Sequence, residues 1–174
     1  MIDEKALFAL THGVYVIGAK DEAQNRYVGS AVDAIMQVAH KPFVVALSCG
    51  NHTYTKETIQ KTGMFAISIL PQDVDPFIIA NFGFQSSRDV NKWDNVEYEE
   101  KDNLPYLKNV LGKIRCKVLE QVAYDSNTLF LAEVLDAELG DNSGKALTYN
   151  DYRGYFKNEV IKVFNEQKQR MKGK

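Results

Sequence analysis

The chain has 174 residues, 45% hydrophobic and 25% charged, with a formal net charge of −2. This fits one globular domain long enough to bury a core, and it gives no electrostatic case for nucleic acid. No apolar run approaches the roughly 20 residues of a membrane span, and Met1-Ile-Asp-Glu-Lys5 lacks the basic-then-apolar layout of a signal peptide.

In chain order, residues 3–11 read as a short opening helix, with Gly13 just beyond it. Residues 14–19 form a strand, 21–25 a polar turn, and 26–32 the second arm of a hairpin. The continuous apolar run 43–48 fits a fully buried strand. Residues 53–61 are helical, with Thr53 or Thr55 as N-cap and Gly63 past the end. A buried strand at 64–70 is stopped by Pro71. Residues 75–82 form a helix capped by Asp75, with Pro76 at its first position. A short strand follows at 96–99, then long strands at 110–124 and 129–139 around a polar Asp125-Ser-Asn127 turn. Residues 141–144 make another turn. From Phe156, apolar residues recur at helical spacing (Val160, Val163, Phe164), and this stripe needs a surface to cover, on its own barrel or on a partner's.

Strands joined mostly by hairpins, with short helices between them, argue against a doubly wound parallel sheet. They favour a mainly β (α+β) architecture: a closed or nearly closed antiparallel barrel with peripheral short helices. Neither GxGxxG nor GxxxxGKS/T occurs, so neither standard nucleotide-phosphate loop is present. Cys49 and Cys116 show no CxxC pair and no zinc spacing with His, and both lie in apolar runs, which implies reduced, buried thiols in a cytoplasmic protein. His12, His40 and His52 are the only histidines, and no GxSxG elbow surrounds a serine. Cys49 next to His52 is a weak signal of a thiolate pair, three residues apart across a strand-to-helix turn, and the scattered histidines give no metal-ligand spacing.

Three segments carry more chemistry. The run 81–93 offers Ser86, Ser87, Arg88, Lys92 and the chain's only tryptophan, Trp93. Hydroxyls and fixed cations suit a phosphate, and an aromatic ring beside them suits a planar ring system. The run 29–42 places Gly29, Ser30, Ala31 and Ala34 where a ligand can approach the backbone closely. In 48–59 a strand end feeds a helix start, whose unpaired N–H groups make a natural phosphate site, supplemented by Asn51, His52, Thr53, Thr55 and Lys56. Each segment also has a purely structural reading: a solvated loop with aromatic core plugs, a tight barrel bend, and N-capping by threonine.

In their order along the chain these segments resemble the flavin reductase-like FMN-binding split barrels, in the flavoredoxin branch. The resemblance runs from about Leu7 to Tyr155. Its marks are Leu10-Thr-His-Gly-Val-Tyr-Val-Ile-Gly18, Ile35-Met-Gln-Val38 before Pro42, Tyr54-Thr-Lys-Glu57, the loop from Phe82 to Lys92, Thr128-Leu-Phe130 with Glu133-Val134, and Leu147-Thr-Tyr-Asn-Asp-Tyr152. It implies an antiparallel split β-barrel over 1–155, with a C-terminal helix and basic tail over 156–174. It also implies a homodimer holding FMN without a covalent bond, which NAD(P)H reduces and a separate redox protein or oxygenase drains. The alternative within the family is an FMN-binding electron carrier with little NAD(P)H activity of its own.

By that resemblance Ser30, Ala31, Val32, Asp33, Ala34, Ile35, Met36 and Gln37 line the isoalloxazine. Ser48, Asn51, His52, Thr53 and Thr55 follow the ribityl and phosphate. Arg88 and Lys92 close over the phosphate, with Trp93 near the ring or a dimer contact. The chain departs from its relatives where they place hydroxyl or amide side chains in the ring-contacting strand, having Ala31, Asp33 and Ala34 there. It also has Asn127 where they usually carry a histidine, and Ala132 in place of a glycine.

Overall fold

The computed structural model describes residues 1–172. Seven of its nine strands form one antiparallel sheet: β1 (Tyr15–Asp21), β2 (Arg26–Val32), β3 (Ile35–His40), β4 (Phe43–Gly50), β5 (Met64–Ile69), β8 (Gly112–Ala123) and β9 (Asn127–Leu139). Their order is β2-β1-β5-β8-β9-β4-β3. The two edge strands, β2 and β3, are consecutive in the chain and separated only by Asp33 and Ala34, yet no ladder joins them. The sheet therefore curls until its edges approach and stops short of closure, as a split barrel. The expected barrel is present, open along one seam.

The inward face is dry. Ile17, Val28, Leu47, Phe65 and Phe130 are wholly buried in one cluster, which takes in Ile59 of helix α2 (Tyr54–Thr62). α2 has the stops its sequence announces. The Thr53 hydroxyl accepts from the Lys56 amide, and Gly63 closes the helix at φ 69°, a left-handed backbone natural to glycine. The β1–β2 turn is held by Asp21, whose carboxylate accepts from the amides of Ala23 and Gln24.

A second core lies outside the barrel. Val14 and Val16 of the β1 region pack there with Ile79 and Phe82 of α3 (Pro76–Gly83), Trp93, Phe156 and Val160. β1 is thus covered on both faces, which is why it reads as a continuous apolar run. The C-terminal helix α5 (Lys157–Lys172) is reached from the short α4 (Tyr149–Asp151) through one wide π-type turn, Tyr152–Phe156. Its apolar stripe is used within its own chain: Val160 is fully buried, and the Phe164 ring meets Phe84 edge-on, their centroids 5.3 Å apart.

Three elements differ from the pattern-based reading. The opening helix, α1, is a single turn, Glu4–Leu7, with no buried residue, and a helix that packs against nothing does not propagate. The short strand expected at 96–99 is β6 (Tyr98–Lys101), and it pairs with β7 (Leu104–Leu107), which Pro105 hides from a sequence reading. Asp102 and Asn103, at φ 52° and 63°, make the tight turn between them. The edge strand β3 is also absent from the pattern-based elements, because its residues are mixed and largely exposed. No helix among the described residues is long and apolar enough to cross a membrane.

The packing of α5 can be tested directly. Val160→Ala should lower unfolding free energy by about 2 kcal/mol through lost burial and a residual cavity. Ile161→Ala, next to it but exposed, should change stability by less than about 0.5 kcal/mol in the same urea titration.

Candidate functional site

The seam of the barrel opens into a cavity of about 570 Å³. One wall is the end of β2 and its exit, Ser30 to Asp33. The other is the end of β4, with Ser48, Cys49 and Gly50. The start of α2, the end of α3 with the loop after it (Phe82 to Ser87), Lys92, and the Ser126-Asn127 corner complete it. Two of the three sequence segments meet here by their ends, and the third contributes its hydroxyls and one lysine.

The most constrained group in the cavity wall is the Lys92 ammonium. Its Nζ donates to the carbonyls of Gly29 and Phe82, both at 2.9 Å, and the residue is 2% exposed. An ammonium has three donors, so these two carbonyls leave one over. Burial pushes its pKa down from the usual 10.5 to about 8, which leaves it charged at neutral pH. Ser87 works on the same glycine, accepting from the Gly29 amide at 3.2 Å and donating to its carbonyl at 3.0 Å. Only glycine fits there: a Cβ would stand 2.8 Å from the Phe82 ring and 2.9 Å from the Ile17 carbonyl oxygen.

The start of α2 supplies further donors. Thr53 caps the Lys56 amide, while the amides of Tyr54 and Thr55 have no carbonyl partner inside the helix. At the other side Ser48 accepts from the Asn127 side chain at 3.1 Å. Asp33 faces the cavity and lies 3.9 Å from His12, a contact that becomes an ion pair only when the histidine is protonated. Lys92, the hydroxyls and the helix start make a concave anion-attracting surface, next to small residues, Ala31 and Gly83, that leave backbone accessible.

Of the residues expected at the site, Ser30, Ala31, Val32, Asp33, Ser48, His52, Thr53 and Lys92 line this cavity. The others do not. Ala34 passes its carbonyl to the Ser48 amide, and Ile35, Met36 and Gln37 line a separate apolar hollow at the barrel mouth. Asn51 is spent on the β8–β9 turn, donating to the carbonyls of Tyr124 and Asp125 and accepting from Thr128. Thr55 is buried behind the wall, bonded to Ser30 at 2.9 Å. Arg88 does not join Lys92: its guanidinium pairs with Glu57 and lies over the Tyr54 ring, 4.9 Å from its centre. Trp93 is 2% exposed in the outer core, edge-on to Phe82 and Tyr98. A tryptophan beside cations in sequence is a weak pointer to a ligand when the next strand can bury it.

The site residues expected from sequence did not include Phe82–Gln85 or the Ser126-Asn127 corner, although the resemblance marked the loop from Phe82 and singled out Asn127. The corner is brought in by β4–β9 pairing, Gly50 opposite Asn127, which no local pattern announces. Cys49 also lies in the wall, wholly buried, its Sγ 3.5 Å from the Thr53 hydroxyl, and burial raises its pKa. A thiol held protonated is no nucleophile, so the Cys49–His52 neighbourhood offers no covalent chemistry. Among the described residues no cluster of His, Cys, Asp or Glu could hold a metal ion.

The buried lysine gives a signed prediction. Between about pH 8 and 10.5 the unfolded chain binds a proton that the folded lysine has released, so stability rises with pH across that window. Lys92→Met removes this rise and strands the buried Phe82 carbonyl, while the Gly29 carbonyl keeps the Ser87 hydroxyl. The variant should lose about 1–3 kcal/mol at pH 7, and its deficit against wild type should grow by pH 10. Paired urea titrations at the two pH values read both effects.

Residues 7–158 match the family model described as flavin reductase like domain. The ferric-chelate reductase (NAD(P)H) of Archaeoglobus fulgidus is 28% identical over 153 residues, covering 87% of this chain and 89% of that protein. The high molecular weight rubredoxin of Moorella thermoacetica is 31% identical over 153 residues; these are 87% of this chain but 66% of that longer protein. Among solved structures, a flavin reductase in its native state superposes with a TM-score of 0.68 at 30% identity, covering 84% of this chain and 97% of that one. An NADH:FAD oxidoreductase of Streptomyces globisporus shares the fold, with a TM-score of 0.77 at 16% identity over 87% of this chain and 92% of its own. With the model spanning nearly the whole chain and the seam-side cavity in place, the protein belongs to the flavin reductase-like domain family.

Proposed function

We propose that this protein is an FMN-binding oxidoreductase of the flavin reductase type, which passes hydride from NAD(P)H to flavin. The observation that carries the reading is the cavity in the barrel seam, where a buried ammonium, serine and threonine hydroxyls and a helix start gather beside small, backbone-exposing residues. These residues fit a phosphorylated planar cofactor. Lys92, Ser86 and the first amides of α2 would take the phosphate. Ser30 to Asp33 and Gly83 would lie along the rest, while Ser48 and Asn127 hold one another at the opposite wall. A flavin bound there supplies the redox chemistry, accepting hydride at its ring. The chain's own residues then need only bind, orient and exclude water. No acid or base is required, in keeping with a site that has no catalytic constellation.

The family relatives support nicotinamide as the donor, one bearing NAD(P)H in its name. Reductase components of the 4-nitrophenol and resorcinol hydroxylase systems support a separate oxygenase as the flavin's destination. A second reading, an FMN-binding electron carrier reduced by another protein, is favoured by the rubredoxin relative and by Asn127 in the cavity wall. A homodimer in the cytoplasm completes the proposal, with the exposed Met36 and Phe43 around the apolar hollow at the barrel mouth as its contact.

Flavin absorption bands on the purified or FMN-reconstituted protein, with NADH or NADPH oxidation in steady state, test the main reading. Bound flavin reduced only by a donor protein would select the carrier instead, and sedimentation of the flavin-loaded protein reads the dimer. Lys92→Met should weaken FMN by about 1.5–3 kcal/mol while leaving riboflavin, which has no phosphate, unchanged. Arg88→Ala should leave both flavins within about 0.5 kcal/mol. Equal loss of FMN and riboflavin in the Lys92 variant would place the phosphate elsewhere.

Asp33 gives a further test. A carboxylate beside the bound ring opposes added negative charge. The flavin potential should therefore rise in Asp33→Asn, read by redox titration, and unchanged potentials would put Asp33 out of electrostatic reach.

A further inference from the structure

β1 and β2 run side by side until Tyr15 stands opposite Val32, a register that aims the chain before Tyr15 toward Asp33. There His12 places its Nδ1 3.9 Å from the Asp33 carboxylate. We propose that His12 stores a proton for the redox step, taking one up as the bound flavin gains negative charge and releasing it when that charge leaves; this rests on the flavin reading above.

Backbone contacts hold both partners. The His12 carbonyl accepts from the Tyr149 amide at 2.7 Å, and the Val14 amide donates to the Leu147 carbonyl at 3.1 Å. The Asp33 carbonyl accepts from the Ile35 amide at 3.2 Å, in the turn between β2 and β3. Asp33 lines the seam cavity and also a smaller hollow of about 200 Å³ beside it, which Tyr149 and Tyr152 share. The carboxylate therefore links the histidine to the cavity where charge arrives.

Histidine is the side chain whose charge ordinarily changes between about pH 5 and 8. A protonated His12 offsets the Asp33 carboxylate, and a neutral one does not. Hydride transfer adds two electrons and one proton to the ring and leaves one net negative charge there. His12 then takes one proton from water, and returns it to water once the electrons have left. Its side chain is 32% exposed, so water reaches it; Asp33 is 42% exposed, and the same exposure screens the coupling and keeps it modest.

The other charges near the pair are fixed or engaged elsewhere. Lys92 stays charged at neutral pH between its two carbonyls. The Arg153 guanidinium, always charged, lies over the Phe8 and Tyr149 rings, 3.6 and 5.7 Å from their centres. Burial pushes the Tyr152 phenol up and so keeps it neutral, with Tyr149 stacked on it. Asp3, Glu4 and Lys5 of the opening turn are exposed. His52 lines the seam cavity and is the rival for the proton, while His40 bonds to Gln37 on β3.

Proton magnetic resonance of the FMN-loaded protein tests this, because the chain has only three histidines. His12→Gln, His40→Gln and His52→Gln assign the three ring signals. The His12 titration midpoint should lie about 0.5–1 pH unit higher with the flavin reduced by dithionite than with it oxidised, and Asp33→Asn should lower it in both states. By reciprocity the flavin potential of wild type should gain about 15–30 mV over His12→Gln between about pH 8.5 and 5.5, at roughly 30 mV per tenfold for two electrons. A His12 midpoint that is equal in the two redox states, moves no more than that of His40, or ignores Asp33→Asn overturns the assignment and leaves the flavin site standing. So does a potential gap between wild type and His12→Gln that is the same at both pH values. A folded protein that binds no FMN overturns the flavin reading and this inference together.

Discussion

An edge strand leaves one row of backbone groups without a neighbour, and how those groups are satisfied decides the shape of this protein. On β2 the amide and carbonyl of Gly29 are taken by the Ser87 hydroxyl and the Lys92 ammonium. The loop after α3 thus occupies the place where another strand would pair. It stops the barrel from closing, ties α3 to the sheet through the Phe82 carbonyl, and leaves beside itself the cavity proposed as the site. Remove the glycine and the loop is pushed off by a Cβ; remove the lysine and the Phe82 carbonyl loses its partner, while Gly29 keeps Ser87.

The same device puts an unpaired positive charge into the cavity wall of a chain with an acidic balance. Lys92 is held by carbonyl dipoles and has no carboxylate against it, so its charge stays available to a ligand. Arg88 is the opposite case. Its guanidinium is satisfied by Glu57 on the next element, and its nominal charge is cancelled where it stands.

That contrast marks what could be read from sequence. Periodicity and caps located α2 and α3 to within a residue, because Thr53, Gly63, Asp75 and Pro76 act locally. The hairpin β1–β2 and the long strands β8 and β9 were equally plain. The antiparallel barrel followed from their connections, and its family from the order of short motifs. What stayed hidden depends on partners distant in sequence. Nothing near Arg88 announces Glu57, nothing near Asn127 announces Ser48, and Trp93 looks like a ligand platform until Phe82 and Tyr98 are seen to enclose it. β7 was hidden by its proline and β3 by its exposure. Residue types pointed to the stretches of chain that meet at the seam, and tertiary pairing chose which of them face the cavity.

The two thiols carry a different consequence. Both are wholly buried, and burial pushes the Cys116 thiol up to about 12 and Cys49 in the same direction. Oxidants attack the thiolate, and at physiological pH neither sulfur offers one. Cys49 nevertheless stands in the wall of the cavity proposed to hold the flavin. A protein that handles reduced flavin in air generates peroxide beside its own interior, and a low-pKa cysteine in that wall would be consumed with turnover. Here the sulfur in that wall is buried and kept in its inert form, so a flavin held in that cavity would have no reactive thiol beside it.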